Sequence, residues 1–236
     1  MPRGRGRPRL FESTKFGTFT LKHIYNAINS DGYFEMIIYG KRGMGKSIYS
    51  YKISKRIYND DIKQVWAHWA YTIDDLIKIL DKYAGGPERI KLLVWDDAGV
   101  HGSKYKWFTE EQSLVETLSE VWQTIRDTVA AMIITTPNPK LLLKVIRSMD
   151  TYTAKVVWAD RRVQLAMLKI YQQNILPNGL VFPRLIAYEL FRVWLPDDEY
   201  LELKMRRKRY SRESIDRLKA KRRAIKMRRL ENEDDE

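Results

Sequence analysis

A three-layer αβα sandwich around a mainly parallel sheet is predicted by three features of the sequence. Between residues 33 and about 150, short apolar segments alternate with segments of helical period, the pattern of strands joined by helical crossovers. The first apolar segment runs into a glycine-rich octapeptide, Gly40–Ser47, that opens a helix. A later one ends in two adjacent carboxylates, Asp96 and Asp97.

Taken in order, Tyr33–Tyr39 reads as a short buried strand. Ile48, Tyr51, Ile53 and Ile57 then place a helix from Lys46 to about Tyr58. Gln64–Ala70 reads as a second strand. Asp74–Tyr83 predicts a helix stopped by Gly85, Gly86 and Pro87. Ile90–Trp95 is the strand that ends in acids. Thr109–Asp127 is the longest amphipathic helix, with Leu114, Leu118, Val121, Trp122 and Ile125 on one side. Ala130–Thr135 is an apolar strand and Pro139–Arg147 a short helix. After about Thr151 the texture changes. Lys155–Trp158, a turn at 159–161, Val163–Tyr171 and Leu185–Leu195 read as antiparallel strands, added to the sheet edge or forming a small appendage. The domains expected are a basic arm at 1–12, a core at 13–160, a β appendage at 161–203, and a basic helix with an acidic tail at 204–236.

Composition excludes several classes of function. The absence of cysteine removes disulfides, thiolate metal sites and cysteine nucleophiles. His23, His68 and His101 are scattered, which argues against a histidine metal cluster. No apolar run approaches the ~20 residues that span a bilayer, and the N-terminus is not a secretory leader. A cytoplasmic protein with no membrane partner is expected. The net charge of +13 is concentrated at the ends. Residues 1–10 carry four arginines and no acid, and 204–229 hold fourteen Lys/Arg against Glu213 and Asp216. A nearly neutral core with two basic arms suits a polyanion, and DNA is the expected partner.

Gly40-Lys41-Arg42-Gly43-Met44-Gly45-Lys46-Ser47 satisfies G-x-x-x-x-G-K-[ST] in full. Glycines let backbone N–H groups converge on phosphate oxygens, Lys46 reaches the outer phosphates, and Ser47 offers a hydroxyl to Mg²⁺. ATP and Mg²⁺ are the expected cofactors. Asp96 is the expected partner of Ser47 at the metal, and Asp97 the group that orients the attacking water. Thr135, Thr136 and Asn138, at the end of the next strand, are candidates for sensing the γ-phosphate, with Thr136 favoured. The competing reading is that they cap the following helix, for which Asn138 before Pro139 is well suited. Arg147, or Arg126 on the long helix, is the candidate to act in trans on a neighbouring subunit, which implies a homo-oligomer.

The loop, the paired acids and the threonine-ended strand, in this order and spacing, resemble the additional-strand class of P-loop NTPases over about residues 33–158. Within it, Asp96-Asp97-Ala98-Gly99 resembles the D-D-x-G signature of the initiator and helicase-loader branch of the AAA+ ATPases, and Ile133–Asn138 its sensor strand. The octapeptide is closer to the loop of viral packaging ATPases, and the short layout with basic arms is similar to ATPases of archaeal viruses and plasmids. The resemblance implies ATP hydrolysis coupled to work on DNA.

Arg5-Gly6-Arg7-Pro8, followed by Arg9, resembles the core of an AT-hook, an extended arm thin enough for the minor groove of A·T tracts. In 204–229 a thin stripe of Ile215, Leu218 and Ile225 marks a helix that is otherwise basic. Other readings left open are a partition or architectural protein that uses ATP as a binding switch, and a small-molecule kinase. The kinase reading leaves the basic arms unexplained.

Overall fold

The computed structural model describes residues 16–98, 120–143, 146–147, 151–175 and 181–234. Their elements, in chain order, are α1 (Thr18–Asn29), β1 (Phe34–Tyr39), α2 (Lys46–Ile57), α3 (Ile62–Ala67), β2 (Trp69–Ala70), α4 (Ile73–Asp81), β3 (Leu93–Trp95), β4 (Ala131–Thr136), β5 (Tyr152–Asp160), β6 (Leu165–Ile175), β7 (Val181–Arg192) and α5 (Asp197–Asp234). The strands form a seven-stranded sheet in the order β2-β3-β4-β1-β5-β6-β7. β2 to β5 and β1 pair in parallel, while β6 and β7 are added antiparallel. This is an α/β fold built on a mainly parallel sheet, with β4 inserted between the strand that feeds the glycine loop and the strand that ends in acids.

β1 lies between β4 and β5, and Phe34 to Ile38 are all buried, as expected of a parallel strand covered on both faces. One face of the sheet packs Ile37, Met132, Ile134, Leu93 and Trp95 with Trp122, Ile125, Leu142 and Ile146. The opposite face meets α1 and α2.

Three segments depart from expectation. Gln64–Ala70 is mostly helix α3, leaving only Trp69 and Ala70 as strand. The local cause is Asp61, whose carboxylate accepts from the N–H groups of Lys63 (3.0 Å) and Gln64 (3.2 Å) and starts a helix. Pro139–Leu141 is a 3-10 turn capped by Asn138, with helical backbone again at 146–147. β5 is a parallel member of the sheet, joined to β1 from Met36↔Tyr152 to Tyr39↔Lys155. Of the long helix expected over 109–127, residues 120–124 are helical and Ile125–Asp127 form a 3-10 turn. Residues 109–119 lie outside the described residues.

The stretch expected as an appendage supplies β6 and β7 of the same sheet, and the first compact unit runs to Val193. The second unit, from Trp194, is dominated by α5. Its 38 residues span about 57 Å at the standard rise. Leu201, Ile215, Leu218 and Ile225 are exposed on it, and Glu202–Arg206 and Arg209–Glu213 pair one turn apart. Among the described residues no helix is long and apolar enough to cross a membrane, and no group of three or more His, Cys, Asp or Glu side chains could hold a metal.

Two buried carboxylates organise the core. Glu189 of β7 caps α1, which starts at Gly17 without a side-chain cap of its own. It accepts from Gly17 N (3.1 Å), Thr20 N (2.8 Å) and the hydroxyl of Tyr49 on α2. Glu35 of β1 accepts from the Tyr33 hydroxyl (2.8 Å), the Trp122 indole (3.1 Å) and the Thr151 hydroxyl (3.3 Å).

Burial pushes the Glu35 carboxyl up to about 7, more than these donors pull it back. The folded state therefore holds a proton that the unfolded state releases at ordinary carboxylate pH. Stability tied to Glu35 is present below about 4.5 and is lost as pH rises to about 7. Glu189 shifts in the same direction, also by burial. Glu35→Gln, which keeps the shape and an acceptor for Tyr33 and Trp122, should remove the Glu35 part of this dependence. It should stabilise the protein at pH 8 by up to about 3 kcal/mol relative to the parent. Urea melts of both proteins from pH 4 to 8 read this directly, and parallel stability curves would contradict it.

Candidate active site

The glycine loop lies between the end of β1 and the start of α2, where the chain reverses tightly. Gly40 has φ +146° and Gly45 φ +83°, backbone that side-chain-bearing residues rarely adopt. Close packing adds to this. A Cβ on Gly45 would come within 2.7 Å of a Val193 methyl and 3.2 Å of the Phe191 ring, so the end of β7 backs the loop. A Cβ on Gly40 would lie 3.0 Å from the carbonyl oxygen of Val156 on β5.

α2 begins without a side-chain cap and with no acid in its first turn, so its N–H groups and the positive end of its dipole face the loop. Lys46 is buried and donates to the carbonyls of Gly40 (3.0 Å) and Lys41 (3.1 Å), which sets its ammonium inside the curve of the loop. Lys41, Arg42 and Gly43 are exposed, and Met44 is at the edge of the core.

In the first turn of α2 the Ser47 hydroxyl donates to Asp96 Oδ1 at 2.7 Å, and both residues are buried. A buried hydroxyl and carboxylate in contact at the foot of the glycine loop are the hard oxygen donors that Mg²⁺ prefers, so these residues fit that ion. The Thr135 hydroxyl donates to the same Asp96 oxygen at 2.5 Å and accepts from the backbone N–H of Asp97 at 2.9 Å. It therefore links the Asp96 carboxylate to the Asp97 backbone. Asp97 sits in left-handed backbone, φ +55°, at the turn that ends β3.

Thr136 has a different position. Its hydroxyl donates to the carbonyl of Asn138 (3.1 Å) and accepts from its N–H (3.3 Å), while Asn138 caps the next turn through Lys140 N. The difference between the two threonines is one of parity. Alternate residues of a strand face opposite sides, so Thr135, in register with Ile38, shares the face of α2, and Thr136, in register with Tyr39, does not. The parity of β4 against β3 comes from the pairing Leu93↔Met132, which the local sequence does not encode.

Arg147 is half-buried, and its backbone carbonyl accepts from Gln173 at 3.4 Å. Gln173 lies two residues beyond Tyr171, the partner of Thr153, and so near the start of β5, the end of the sheet opposite the loop. Arg126 is exposed ahead of β4 at that same end, 3.8 Å from Asp127. Neither arginine adjoins the loop of its own chain. Arg5, Gly6, Arg7, Pro8 and Arg9 lie outside the described residues.

The histidines among the described residues have structural settings. His68 stacks on Tyr58 and bonds the Tyr83 hydroxyl at 2.8 Å, and His23 bonds the carbonyl of Phe19.

A family profile described as RNA helicase matches residues 36–125, from the strand before the loop past the paired acids. The protein B-251 of Sulfolobus spindle-shape virus 1 is 26% identical over 208 residues, covering 83% of this chain and 82% of its own length. The protein ORF286 of Acidianus two-tailed virus is 26% identical over 176 residues, 72% of this chain and 59% of that protein. Among solved structures, a DNA polymerase III gamma subunit-related protein of Thermotoga maritima aligns over 60% of this chain and 47% of its own, with 14% identity and a TM-score of 0.43. The N-terminal domain of zonular occludens toxin from Neisseria meningitidis aligns over 65% and 93%, with 16% identity and a TM-score of 0.38.

Proposed function

We propose that the chain is a Mg²⁺-dependent ATPase of a viral or plasmid element that acts on DNA, in helicase loading at replication origins or in DNA translocation and packaging. The observation that carries this reading is the convergence of Ser47 and Thr135 on Asp96 Oδ1, at 2.7 and 2.5 Å, beneath a complete phosphate loop. Ser47 and Asp96 would hold the metal, which when bound neutralises charge on the phosphates. Lys46 would exchange its two loop carbonyls for phosphate oxygens. Asp97 would orient a water on the γ-phosphorus and take up its proton as the bond to ADP breaks.

Thr135 is the better candidate than Thr136 for sensing the γ-phosphate, because its hydroxyl bonds the Asp96 carboxylate and the backbone N–H of Asp97. The position of Arg147 and Arg126 at the far end of the sheet suits a role on a neighbouring subunit and hence a homo-oligomer. The insertion of β4 between β1 and β3 supports membership of the additional-strand class. The family profile and the two viral relatives support nucleic acid as the substrate and a mobile element as the setting. A partition protein using ATP as a switch would have the same site but turn over slowly.

DNA would be held by the basic arms, and charge makes this quantitative. Each phosphate neutralised on duplex contributes about 0.9 to the slope of log K against log[salt]. Deleting 1–10 removes four arginines and should lower the slope by at most ~3.6 and erase any preference for A·T-rich duplex. Deleting 204–236 should weaken all sequences alike. Salt titrations of both truncations on A·T-rich and G·C-rich duplexes test this. Unchanged slopes in both would take DNA off the arms.

A further inference from the structure

The β5–β6–β7 half of the sheet has two unlike faces. On the α1/α2 side, Ala154, Val156, Leu168, Ile170, Ala187 and Phe191 are buried as core. The register sets a different row on the other side. Tyr39 of β1 pairs with Lys155, Lys155 with Lys169, and Lys169 with Tyr188, one residue from each of four neighbouring strands. The adjacent row, about 7 Å along the strands, places Tyr171 opposite Thr153. Over 153–157, 167–173 and 185–190 this face carries no carboxylate.

We infer that this face is a platform for single-stranded nucleic acid, on which Tyr171 and Tyr188 stack unpaired bases while Lys155 and Lys169 hold the backbone. Tyr39, Tyr171, Tyr188 and Lys169 are half-buried, and Lys155 is exposed. Among the described residues no hydrogen-bond partner holds any of the three tyrosine hydroxyls. A buried core tyrosine would normally have one. Burial raises the pKa values of Tyr39 and Tyr171, with further contributions from Tyr171 and Tyr188 respectively. The Lys169 ammonium lies 6.0 Å from the Tyr188 ring centroid, so charge and π-face are presented side by side.

Aromatic rings interleaved with lysines on a carboxylate-free stretch of one sheet face are suited to a polyanion whose bases are unstacked. Duplex presents no free base faces to such a surface, so single strands are the occupant this chemistry selects. The platform also ends at Tyr39, the residue before Gly40, so nucleic acid and nucleotide would share strand β1. The inference deepens the reading of a nucleic-acid-directed ATPase and rests on it for the class of partner.

The test uses the full chain and fluorescein-labelled oligo(dT), oligo(U) and a duplex of equal length, with binding read by anisotropy in the absence of hydrolysis. Tyr171→Ala with Tyr188→Ala should weaken single-strand binding about a hundredfold and leave its salt slope unchanged, because stacking releases no counterions. Tyr171→Phe with Tyr188→Phe keeps the π-faces and should bind within about threefold of the parent, which separates stacking from misfolding. Lys155→Ala with Lys169→Ala should lower the single-strand slope by about 1.4. Duplex affinity should be unchanged in all three variants. The two single-stranded probes separate a DNA from an RNA preference, and a loss on either supports the platform. Unchanged single-strand affinity of the alanine pair overturns it, as does equal loss on duplex or in the phenylalanine pair. A chain that hydrolyses no ATP but loses oligonucleotide binding in the alanine pair alone would refute the ATPase reading and leave the platform standing.

Discussion

Lys46→Ala is expected to reduce ATP affinity by about a hundredfold or more, since the change removes charge-assisted bonds to the phosphates worth about 1.5–3 kcal/mol each. The ammonium stands inside the loop and donates to the carbonyls of Gly40 and Lys41, so little rearrangement separates its present bonds from bonds to phosphate. The fold should survive, because those carbonyls lie in a loop whose rim residues, Lys41 to Gly43, are exposed to water. Titration with a fluorescent ATP analogue, beside a thermal melt, separates the two effects. Full affinity with a normal melt would mean that the loop does not cradle phosphate.

The second large effect is on turnover. Asp97→Asn should leave ATP affinity within a few-fold of the parent and slow hydrolysis by about a hundredfold or more, the usual scale for losing a positioned proton acceptor. The substitution is also conservative for the backbone. Asp97 sits at φ +55°, a region that asparagine tolerates, and the bond from its N–H to Thr135 Oγ1 does not involve the side chain. Wild-type turnover in Asp97→Asn would transfer the water-orienting role to another residue.

What the sequence made legible follows from how local each signal is. The glycine loop, the helix after it and the buried strand before it are encoded within about twenty-five consecutive residues, and each element appears where its residues predict. Asp96 at the foot of the loop was equally readable, because an apolar run ending in acids fixes both burial and direction. The choice between Thr135 and Thr136 was not, since it depends on strand parity between β3 and β4, residues nearly forty positions apart. Val65, Trp66, His68 and Trp69 make a short bulky run that reads as a strand, but Asp61 capped the segment into helix, and that competing local signal prevailed. Glu189, which joins β7 to α1 and the Tyr49 hydroxyl, carries no local signature, because a carboxylate in a β-strand ordinarily faces solvent. The parallel pairing of β5 was hidden for a similar reason. Its run into β6 through the turn at 161–164 looks like any hairpin, and only the register with β1 makes it part of the parallel sheet.

Asp96, Ser47 and Lys46 are proposed to form a working nucleotide hydrolysis site whose output is directed at DNA. The most direct test measures ATP hydrolysis by the full chain in Mg²⁺ and in EDTA, each without DNA, with duplex and with single strands. The expected result is slow turnover in Mg²⁺ that DNA accelerates, none in EDTA, and none with Asp96→Ala. Turnover that persists in EDTA or in Asp96→Ala, or a chain that neither binds nor hydrolyses ATP under any of these conditions, would contradict it.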